Sequence, residues 1–321
     1  MSKFIGAEYG AADAQVNVSA VRSVFRFSLP ARIAMLRVMA PLPNELVMHV
    51  RAALTEDVGS GDVTTLATVP EDATAKAAMV AREELVVCGV QLAAASFHEV
   101  AAATRVRGLA VDGTRMRAGE RILEVEGAAR AVLTAERVAL NFVQRLSGVA
   151  TLAAEFVAAV SGTKATILDT RKTTPGWRRL EKYAVLCGGA QNHRVGLWDM
   201  VLIKDNHLAA LRDAKPNAIA AAVQRAREKY PALKIEVEAD TLEQVQQAVS
   251  AGADIVLLDN MTLEQLREAV RIAGGRAKTE ASGGVNLRTV RAIAETGVDY
   301  ISVGAMTHSA GAVDIGLDFF E

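Results

Sequence analysis

Downstream of residue 162, short apolar runs alternate with stretches of helical spacing. Each of six runs ends in a polar residue or a glycine, and helical segments lie between most of them. Two of these helices are predicted to open with capping boxes, at Thr241 and Thr262, and a third to begin after Asn286. Strands that alternate with amphipathic helices predict βαβ units and a parallel sheet. The runs are ATILD, MVLIK, KIEVE, DIVLLD, KTEASGG and YISVGA.

The polar residues at the strand ends distinguish between two architectures that this pattern allows. A doubly wound open sheet and a barrel both satisfy it. Barrel active sites collect side chains from the C-terminal ends of many strands. Lys204, Glu238 and Asp259 each end a run here, which a structural role alone explains poorly. We therefore expect a parallel α/β (TIM-like) barrel with a shared site at the strand ends.

The region before the barrel mixes short helices with short strands. A helix is predicted over NELVMHVRAALTEDVG, and the alternating segments that follow predict half-buried strands, with a turn at Asp112-Gly113. From Ala128 to Val160 the pattern is helical, and we expect Gly148 to divide or bend that helix. The predicted organisation is an N-terminal α+β domain over 41–145 and a barrel over 146–306.

Composition excludes several classes of protein. The chain has 321 residues, of which 51% are hydrophobic, and its net charge of −1 and pI near 6.6 argue against a nucleic-acid binder. No apolar run is long enough to span a bilayer. The two cysteines fit neither a disulfide framework nor a zinc spacing, so we expect a reducing, cytoplasmic location.

The first 40 residues differ from the rest of the chain. Between residues 15 and 40 there are four arginines and no acidic residue. This composition could belong to a targeting peptide, but an extension without catalytic importance is the favoured interpretation. We therefore assign 1–40 as an N-terminal extension outside the compact protein.

A local excess of positive charge marks the segment 169–194. It contains six Lys or Arg residues and one histidine against two carboxylates. Such a cluster predicts a pocket for small anions, since guanidinium and ammonium groups bind carboxylates and phosphates. Arg178, Glu181 and Lys182 fit either this pocket or an exposed helix face with ion pairs. His193 fits either an anion contact or a structural role.

Two further features complete the predicted site. SGGVN and VGAMT, at the last two strands, provide glycines that allow a phosphate to approach the backbone. Glu238 and Asp259 are expected to point into the same mouth, where two carboxylates act as acid and base or hold Mg²⁺. Beside a phosphate site the metal is favoured, because Mg²⁺ binds carboxylates together with substrate phosphates. Glu236 shares the strand face of Glu238, and the terminal position favours Glu238.

Long stretches of the chain resemble one known family. They are LDTRKTTPGWRRLEKYAVLCGGAQNHRVGLWDMVLIKDNH, EVEADTLEQ, VLLDNM, EASGGVN and GVDYISVGAMTHS, together with EDVGSGDVTT and RVALNFVQRLSGVAT nearer the N-terminus. The sequence is similar to the quinolinate phosphoribosyltransferase family over roughly residues 42–315.

The resemblance implies a fold, a reaction and a set of site residues. The implied fold is an incomplete parallel α/β (TIM-like) barrel with an N-terminal α+β sandwich domain, against which the tail 307–321 packs. The implied reaction joins quinolinate to phosphoribosyl pyrophosphate with Mg²⁺ and gives nicotinate mononucleotide, pyrophosphate and CO₂, in NAD biosynthesis. The implied enzyme is a homodimer or hexamer in which Arg137 reaches the partner's site. The catalytic residues would be Lys172, Glu238 and Asp259, with Glu238 and Asp259 near Mg²⁺. The substrate-binding residues would be these three with Arg137, Thr170, Arg171, His193, Arg194, Lys204, Ser282, Gly283, Gly284, Val303, Gly304 and Ala305.

Three alternatives remain open from the residues. A related phosphoribosyltransferase would use nicotinate or another aromatic acid without decarboxylation. A lyase or aldolase would use Lys204 to form a Schiff base with a sugar phosphate. A metabolite-binding protein or scaffold would show neither turnover nor metal dependence.

Overall fold

The structure, a computed structural model, describes residues 43–321. The extension predicted over 1–40 lies outside the described residues. The N-terminal elements are α1 (Pro43–Val58), α2 (Val63–Thr68), β1 (Thr74–Ala81), β2 (Leu85–Val86), α3 (Val90–Val100), β3 (Arg105–Gly108), β4 (Arg115–Met116), β5 (Arg121–Ala128) and α4 (Ala129–Ala159).

The C-terminal part begins after α4. Its elements are β6 (Thr166–Leu168), α5 (Arg178–Gly188), β7 (Val201–Ile203), α6 (Asp205–Ala209), α7 (Ala218–Lys229), β8 (Ile235–Ala239), α8 (Leu242–Ser250), β9 (Ile255–Asp259), α9 (Leu263–Ala273), β10 (Lys278–Ser282), α10 (Val290–Ala294), β11 (Tyr300–Ser302), α11 (Ala305–His308) and β12 (Ile315–Phe320).

An antiparallel sheet of four strands, in the order β12-β1-β5-β3, forms the N-terminal part. Alternate residues of β1, such as Met79, face a core shared with α3 and α4, to which Phe97 and Val132 contribute. This alternation is the period of a half-buried strand, and burial of these apolar side chains stabilises the layer. The last strand of the chain, β12, pairs antiparallel with β1, so the C-terminus completes this sheet.

The long helix α4 is continuous over 31 residues. The prediction that Gly148 divides it is therefore wrong. Gly148 is instead a site of close packing, since a Cβ at this position would lie 1.8 Å from the carbonyl oxygen of Gly311. The glycine leaves room for the segment that leads to β12, and the helix continues because its flanking alanines and leucines favour helix.

The C-terminal part is a parallel sheet of six strands in the order β6-β11-β10-β9-β8-β7. All six apolar runs that predicted strands form these strands. The capping boxes at Thr241 with Gln244 and Thr262 with Gln265 are both present. The third helix begins later than predicted, at Val290 behind Thr289, because the residues after Asn286 form a turn.

The sheet curves as an incomplete barrel, with β6 and β7 as its two edges. A single bridge between Leu168 and Gln191 extends the β6 edge towards β7. Among residues 43–321, no ladder joins these two edges. The predicted fold class is confirmed. Within the same residues, no helix has the length and apolar character that a membrane crossing requires.

Candidate active site

The parallel strands bring most of the predicted site residues to one edge of the sheet. Every strand in this sheet runs in the same direction, so their C-terminal ends meet. Thr170, Arg171 and Lys172 follow β6, and Lys204 follows β7. Glu238 and Asp259 lie at the ends of β8 and β9. Ser282 ends β10 ahead of Gly283 and Gly284, and Val303, Gly304 and Ala305 follow β11.

Two arginines of this group lie close together. Partial burial, followed by the nearby charge of Arg171, lowers the pKa of the Arg194 guanidinium. Arg194 donates one hydrogen bond to the carbonyl of Met200, at 3.3 Å. The Nε of Arg171 is buried and has no hydrogen-bond partner. Because like charges repel and a buried donor without a partner costs free energy, this pair is arranged for an anion.

Arg178 binds the backbone of the two segments that contain Arg171 and Arg194. Its guanidinium donates to the hydroxyl of Thr173 at 3.1 Å, to the carbonyl of Val195 at 3.3 Å and to that of Arg171 at 3.4 Å. The interpretation of Arg178 as an exposed helix-face cation is therefore wrong. Its side chain crosslinks the segment after β6 to the loop before β7 instead.

Glu181 and Lys182 also lie inside the protein rather than on an exposed face. The carboxylate of Glu181 accepts hydrogen bonds from the amide and hydroxyl of Thr174, at 3.0 and 2.7 Å. Lys182 is ion-paired with Asp169, the last residue of the first predicted run, and donates to the carbonyl of His193 at 3.0 Å. Helical spacing predicted exposure because each of these residues has a charged neighbour along the helix. The tertiary structure supplies other partners.

The Asp169–Lys182 pair is a buried crosslink between β6 and α5. Asp169 also accepts the amide of His193 at 2.8 Å and the side-chain amide of Asn192 at 2.7 Å. Burial raises the pKa of Asp169 and lowers that of Lys182, and their attraction opposes both shifts. The pair therefore determines where the loop that carries His193 and Arg194 leaves the barrel.

A second buried cluster lies behind His193. Its Nε2 is 3.0 Å from a carboxylate oxygen of Glu236 and 3.6 Å from one of Glu280. Both glutamates are fully buried. The sequence pattern drew attention to Glu236 but not to Glu280. The available signal was the strand period, because Glu280 precedes the strand end by two residues and so shares the face of Ser282.

At the mouth of the barrel, Lys204 forms an ion pair with Glu238. The Lys204 side chain is 43% exposed and that of Glu238 13%. The backbone amide of Lys204 donates to the imidazole of His207 at 2.9 Å, which holds the start of α6. Cation and carboxylate thus stand side by side where a charged substrate would enter.

Asp259 and the glycines after β10 form a closely packed corner. The side-chain amide of Asn260 donates to Asp259 at 2.7 Å, and the Asn260 amide nitrogen donates to the Ser282 carbonyl at 3.0 Å. A Cβ on Gly283 would lie 2.1 Å from the Asn260 side-chain oxygen, and the φ of Gly283 is +93°. Only glycine fits this position, which brings the backbone after β10 next to the Asp259 carboxylate.

Lys172 lies along the backbone that follows β11. A Cβ on Gly304 would be 3.1 Å from the Cδ of Lys172. The hydroxyl of Thr307 donates to the Lys172 carbonyl at 2.6 Å. These contacts place an ammonium group near glycine-containing loops at the end of the sheet, a combination suited to a phosphate.

Arg137 is separate from this group. It lies on an exposed face of α4, one turn before the exposed Asn141. Among the residues that the structure describes, no hydrogen bond or ion pair links Arg137 to the strand-end residues. An exposed arginine in this position is available to another molecule.

Fold and site together define an α/β-barrel protein with cations, carboxylates and glycine-containing loops at its strand ends. The family model "Quinolinate phosphoribosyl transferase, C-terminal domain" matches residues 149–318, and the corresponding N-terminal domain model matches residues 62–147. The chain belongs to the quinolinate phosphoribosyl transferase family.

Individual relatives agree with this assignment. The nicotinate-nucleotide pyrophosphorylase [carboxylating] of Mycobacterium leprae is 46% identical over 275 residues, which are 84% of this chain and 95% of the relative. The structure of the nicotinate-nucleotide pyrophosphorylase from Francisella tularensis superposes with a TM-score of 0.82 at 41% identity, over 88% of this chain and 99% of that one. The human nicotinic acid phosphoribosyltransferase, at 14% identity and a TM-score of 0.54, covering 85% of this chain and 73% of that one, shares the fold.

Proposed function

We propose that this chain transfers the phosphoribosyl group of phosphoribosyl pyrophosphate to quinolinate with decarboxylation. The products are nicotinate mononucleotide, pyrophosphate and CO₂, a step in the de novo synthesis of NAD. The observation that carries the proposal is the pair Arg171 and Arg194, two neighbouring guanidinium groups with a buried Nε that lacks a partner, in a member of this family. A ring with two adjacent carboxylates supplies the anions that this pair lacks.

Quinolinate is assigned to the cationic side of the mouth. Arg171 and Arg194 would each meet a carboxylate, with Lys204 at the entrance and Arg137 of the partner subunit closing the site. Guanidinium groups bind carboxylates through two parallel hydrogen bonds, so they orient the ring as well as bind it. With the ring held this way, the pyridine nitrogen faces the ribose carbon and the attack becomes effectively unimolecular.

Phosphoribosyl pyrophosphate is assigned to the opposite side. Lys172 lies against Gly304 and would meet one phosphate, and the loops after β10 and β11 would cradle the 5′-phosphate with their backbone amides. Thr170 is assigned to the substrate site as well, and its hydroxyl accepts from the Lys172 amide at 3.0 Å, which supports the backbone at Lys172. The residues assigned to the 5′-phosphate are Ser282, Gly283, Gly284, Val303, Gly304 and Ala305.

The chemistry requires little covalent help from the protein. The pyridine nitrogen forms a bond to the ribose carbon while the bond to pyrophosphate breaks, and positive charge develops on the ribose. A carboxylate at the mouth, from Glu238 or Asp259, stabilises that charge electrostatically. The ring is then cationic, so the electron pair left when CO₂ departs stays on its C2 carbon, which takes up a proton.

The donor set at the strand ends fits Mg²⁺. Glu238 and Asp259 end neighbouring strands and are both partly exposed at the mouth. Magnesium is usually held by one or two carboxylates together with substrate phosphates, and its charge would offset that of the leaving pyrophosphate. We expect Asp259→Asn to raise the Mg²⁺ concentration for half-maximal turnover by about tenfold. An unchanged magnesium requirement in a folded variant would remove Asp259 from this role.

The active enzyme is proposed to be a homodimer or a hexamer in the cytoplasm. Support for assembly comes from Arg137, an exposed arginine on α4, beside α2 with its exposed Val63 and Leu66. Mixing Arg137→Ala and Arg171→Ala subunits, each with strongly reduced turnover, tests the shared site. Partial recovery of turnover after subunit exchange supports it, because one of the two sites in a mixed dimer is then intact. No recovery in a verified mixed dimer contradicts it.

The decisive experiment is one assay in two tubes. Purified protein is incubated with Mg²⁺, phosphoribosyl pyrophosphate and carboxyl-labelled quinolinate, and a parallel tube contains nicotinate. Labelled CO₂ together with nicotinate mononucleotide, formed only from quinolinate, is the expected result. Product from nicotinate instead would move the chain to the non-decarboxylating phosphoribosyltransferases. No product from folded protein would favour a lyase or a binding protein instead. Borohydride trapping of substrate at Lys204 would detect the lyase.

A further inference from the structure

Every polar atom of His193 is already bound within the protein. Its amide nitrogen donates to Asp169 at 2.8 Å, and its carbonyl accepts from Lys182 at 3.0 Å. Its Nδ1 accepts the amide of Arg194 at 2.8 Å, and its Nε2 lies 3.0 Å from Glu236. Since Nδ1 accepts a hydrogen bond, Nε2 carries the proton and donates it to Glu236. No ring nitrogen is left for a substrate.

The carboxyls of Glu236 and Glu280 are short of donors. Both side chains are fully buried, and three of their four oxygens have no hydrogen-bond partner. Burial, followed by the negative charge of Glu236, raises the pKa of Glu280 from 4.5 to about 8. Two unscreened carboxylates at such depth would repel strongly, and a proton on Glu280 removes the conflict.

We propose that Glu236 and Glu280 are positioning residues of the quinolinate site: Glu236 and a protonated Glu280 hold the His193 ring so that Arg194 stays in place. This inference rests on the proposed function and adds to it. The His193 ring links the buried glutamates to the anion pocket. Its Nε2 is hydrogen-bonded to Glu236 in the interior, and its Nδ1 accepts the amide of Arg194. A shift of the ring is therefore a shift of the residue that carries a substrate-binding guanidinium.

The charges around this cluster favour the same arrangement. Lys182 and Asp169 neutralise each other on the α5 side, and the hydroxyl of Ser302 lies near Glu280 on the β11 side. The charge of Glu236 also acts on the Arg194 guanidinium and raises its pKa against the lowering by burial. Desolvation lowers the pKa of His193, and the two glutamates more than reverse this effect. The negative charge of Glu236 thus acts on both the His193 ring and the Arg194 guanidinium. A second negative charge, on Glu280, would have no cation to pair with.

A divalent cation would be the other way to satisfy these three side chains, which lie close enough together to ligate one. The hydrogen bond from the Arg194 amide disfavours it. A ligating histidine binds metal through one nitrogen and carries its proton on the other, where it donates to an acceptor. Here Nδ1 faces a donor, so the proton resides on Nε2 and no nitrogen lone pair faces the glutamates.

The test is the pH profile of kcat/KM for quinolinate in wild type and Glu280→Gln. Ionisation of Glu280 would set two like charges against the ring that they hold. We therefore expect the wild-type value to fall about fivefold between pH 8 and pH 9, as for a group with a pKa near 8. Glutamine keeps the shape and cannot ionise, so the variant should show no such fall, and its KM for phosphoribosyl pyrophosphate should equal that of wild type.

Matched variants make the result decisive. Asp112→Asn removes a different, partly buried carboxyl, one whose pKa desolvation also raises and which accepts hydrogen bonds from the amides of Gly89 and Val90. It should keep the wild-type alkaline fall. Glu236→Gln removes the negative charge beside Glu280, so the alkaline fall of kcat/KM for quinolinate should move to lower pH in this variant. It replaces Glu280→Gln as the test if Glu280→Gln does not fold.

Three outcomes would overturn the proposal. One is an alkaline fall that persists unchanged in Glu280→Gln. Another is an equal loss towards both substrates at all pH values in that folded variant. The third is stoichiometric zinc bound to wild-type protein and absent from the variant. Failure of the proposed function is distinct from all three, because wild-type protein would then show no turnover of quinolinate even at pH 7.

Discussion

Glu236 and Glu238 lie two residues apart on β8 and share one face of the strand, but their surroundings differ completely. Glu238 sits at the mouth of the barrel, where it pairs with Lys204 and keeps contact with water. Glu236 is fully buried, with a histidine and a second carboxyl as its neighbours. The difference teaches that depth along a parallel strand, rather than residue type, decides how an acidic side chain is neutralised.

The same contrast holds for the two lysines of the site. Lys182 is 3% exposed and its partner Asp169 is 0% exposed, whereas Lys204 at the mouth is 43% exposed. A buried ion pair cannot exchange its partner for water, so loss of one member leaves a charge that burial penalises. At the mouth, water and substrate replace a missing partner. The interior pairs therefore hold the architecture, and those at the mouth are free to serve the reaction.

The largest expected effect comes from breaking the interior pair. Lys182→Met leaves Asp169 buried without its cation, and we expect the free energy of unfolding to fall by about 3–5 kcal/mol. Urea denaturation of the variant measures this loss. Replacing both residues, as Lys182→Met with Asp169→Leu, should recover part of it, because no uncompensated charge remains. A single variant as stable as wild type would show that the pair is not buried in solution.

The next effect concerns the anion pocket. Arg171→Ala removes one of two guanidinium groups from the proposed carboxylate site, and we expect kcat/KM for quinolinate to fall about 10²-fold, or ~3 kcal/mol. Steady-state kinetics with each substrate varied in turn separates the two sites, since KM for phosphoribosyl pyrophosphate should change little. Arg171→Lys keeps the charge without the planar fork and should recover only part of the loss. Unchanged quinolinate kinetics in the alanine variant would contradict the assignment.

A smaller effect for each pH unit is expected in the pH dependence of stability. The folded-state pKa of Glu280 is raised above its usual value of 4.5 to about 8, so the folded protein binds more protons than the unfolded chain in that range. Stability contributed by this protonated group is therefore present below pH 4.5 and is lost as pH rises to about 8. The slope is about 1.4 kcal/mol per pH unit. Urea denaturation at several pH values should show a flatter dependence in Glu280→Gln than in wild type. Parallel curves would contradict it.

The smallest effect is expected at the mouth. Lys204→Met removes a partly exposed cation, and the free energy of unfolding should change by no more than about 1 kcal/mol, because water screens the charge left on Glu238. Urea denaturation beside Lys182→Met gives the direct comparison of mouth and interior. A loss as large as that of Lys182→Met would abolish the distinction between them. Activity is a separate readout, since Lys204 is also assigned to quinolinate.

Local patterns predicted much of the fold correctly. The six apolar runs became the six parallel strands, and the capping boxes at Thr241 and Thr262 open helices as expected. These features depend on hydrogen bonds and periodicities within a few residues, which a sequence displays directly. Gly148 was misassigned because its role is a contact with Gly311, more than 160 residues away. The residues next to Gly148 in the chain do not predict its contact with Gly311.

The sequence by itself determined that six strands would end at one edge, and that cations and carboxylates would gather there, because parallel strands share a direction and side chains alternate with period two. Only the tertiary structure decided the depth at which each charge lies. It placed Arg178, Glu181 and Lys182 inside, and it brought Glu280 from β10 beside Glu236 and His193. Depth depends on which distant elements pack above a residue, and that packing sets the desolvation and the partners that control its charge.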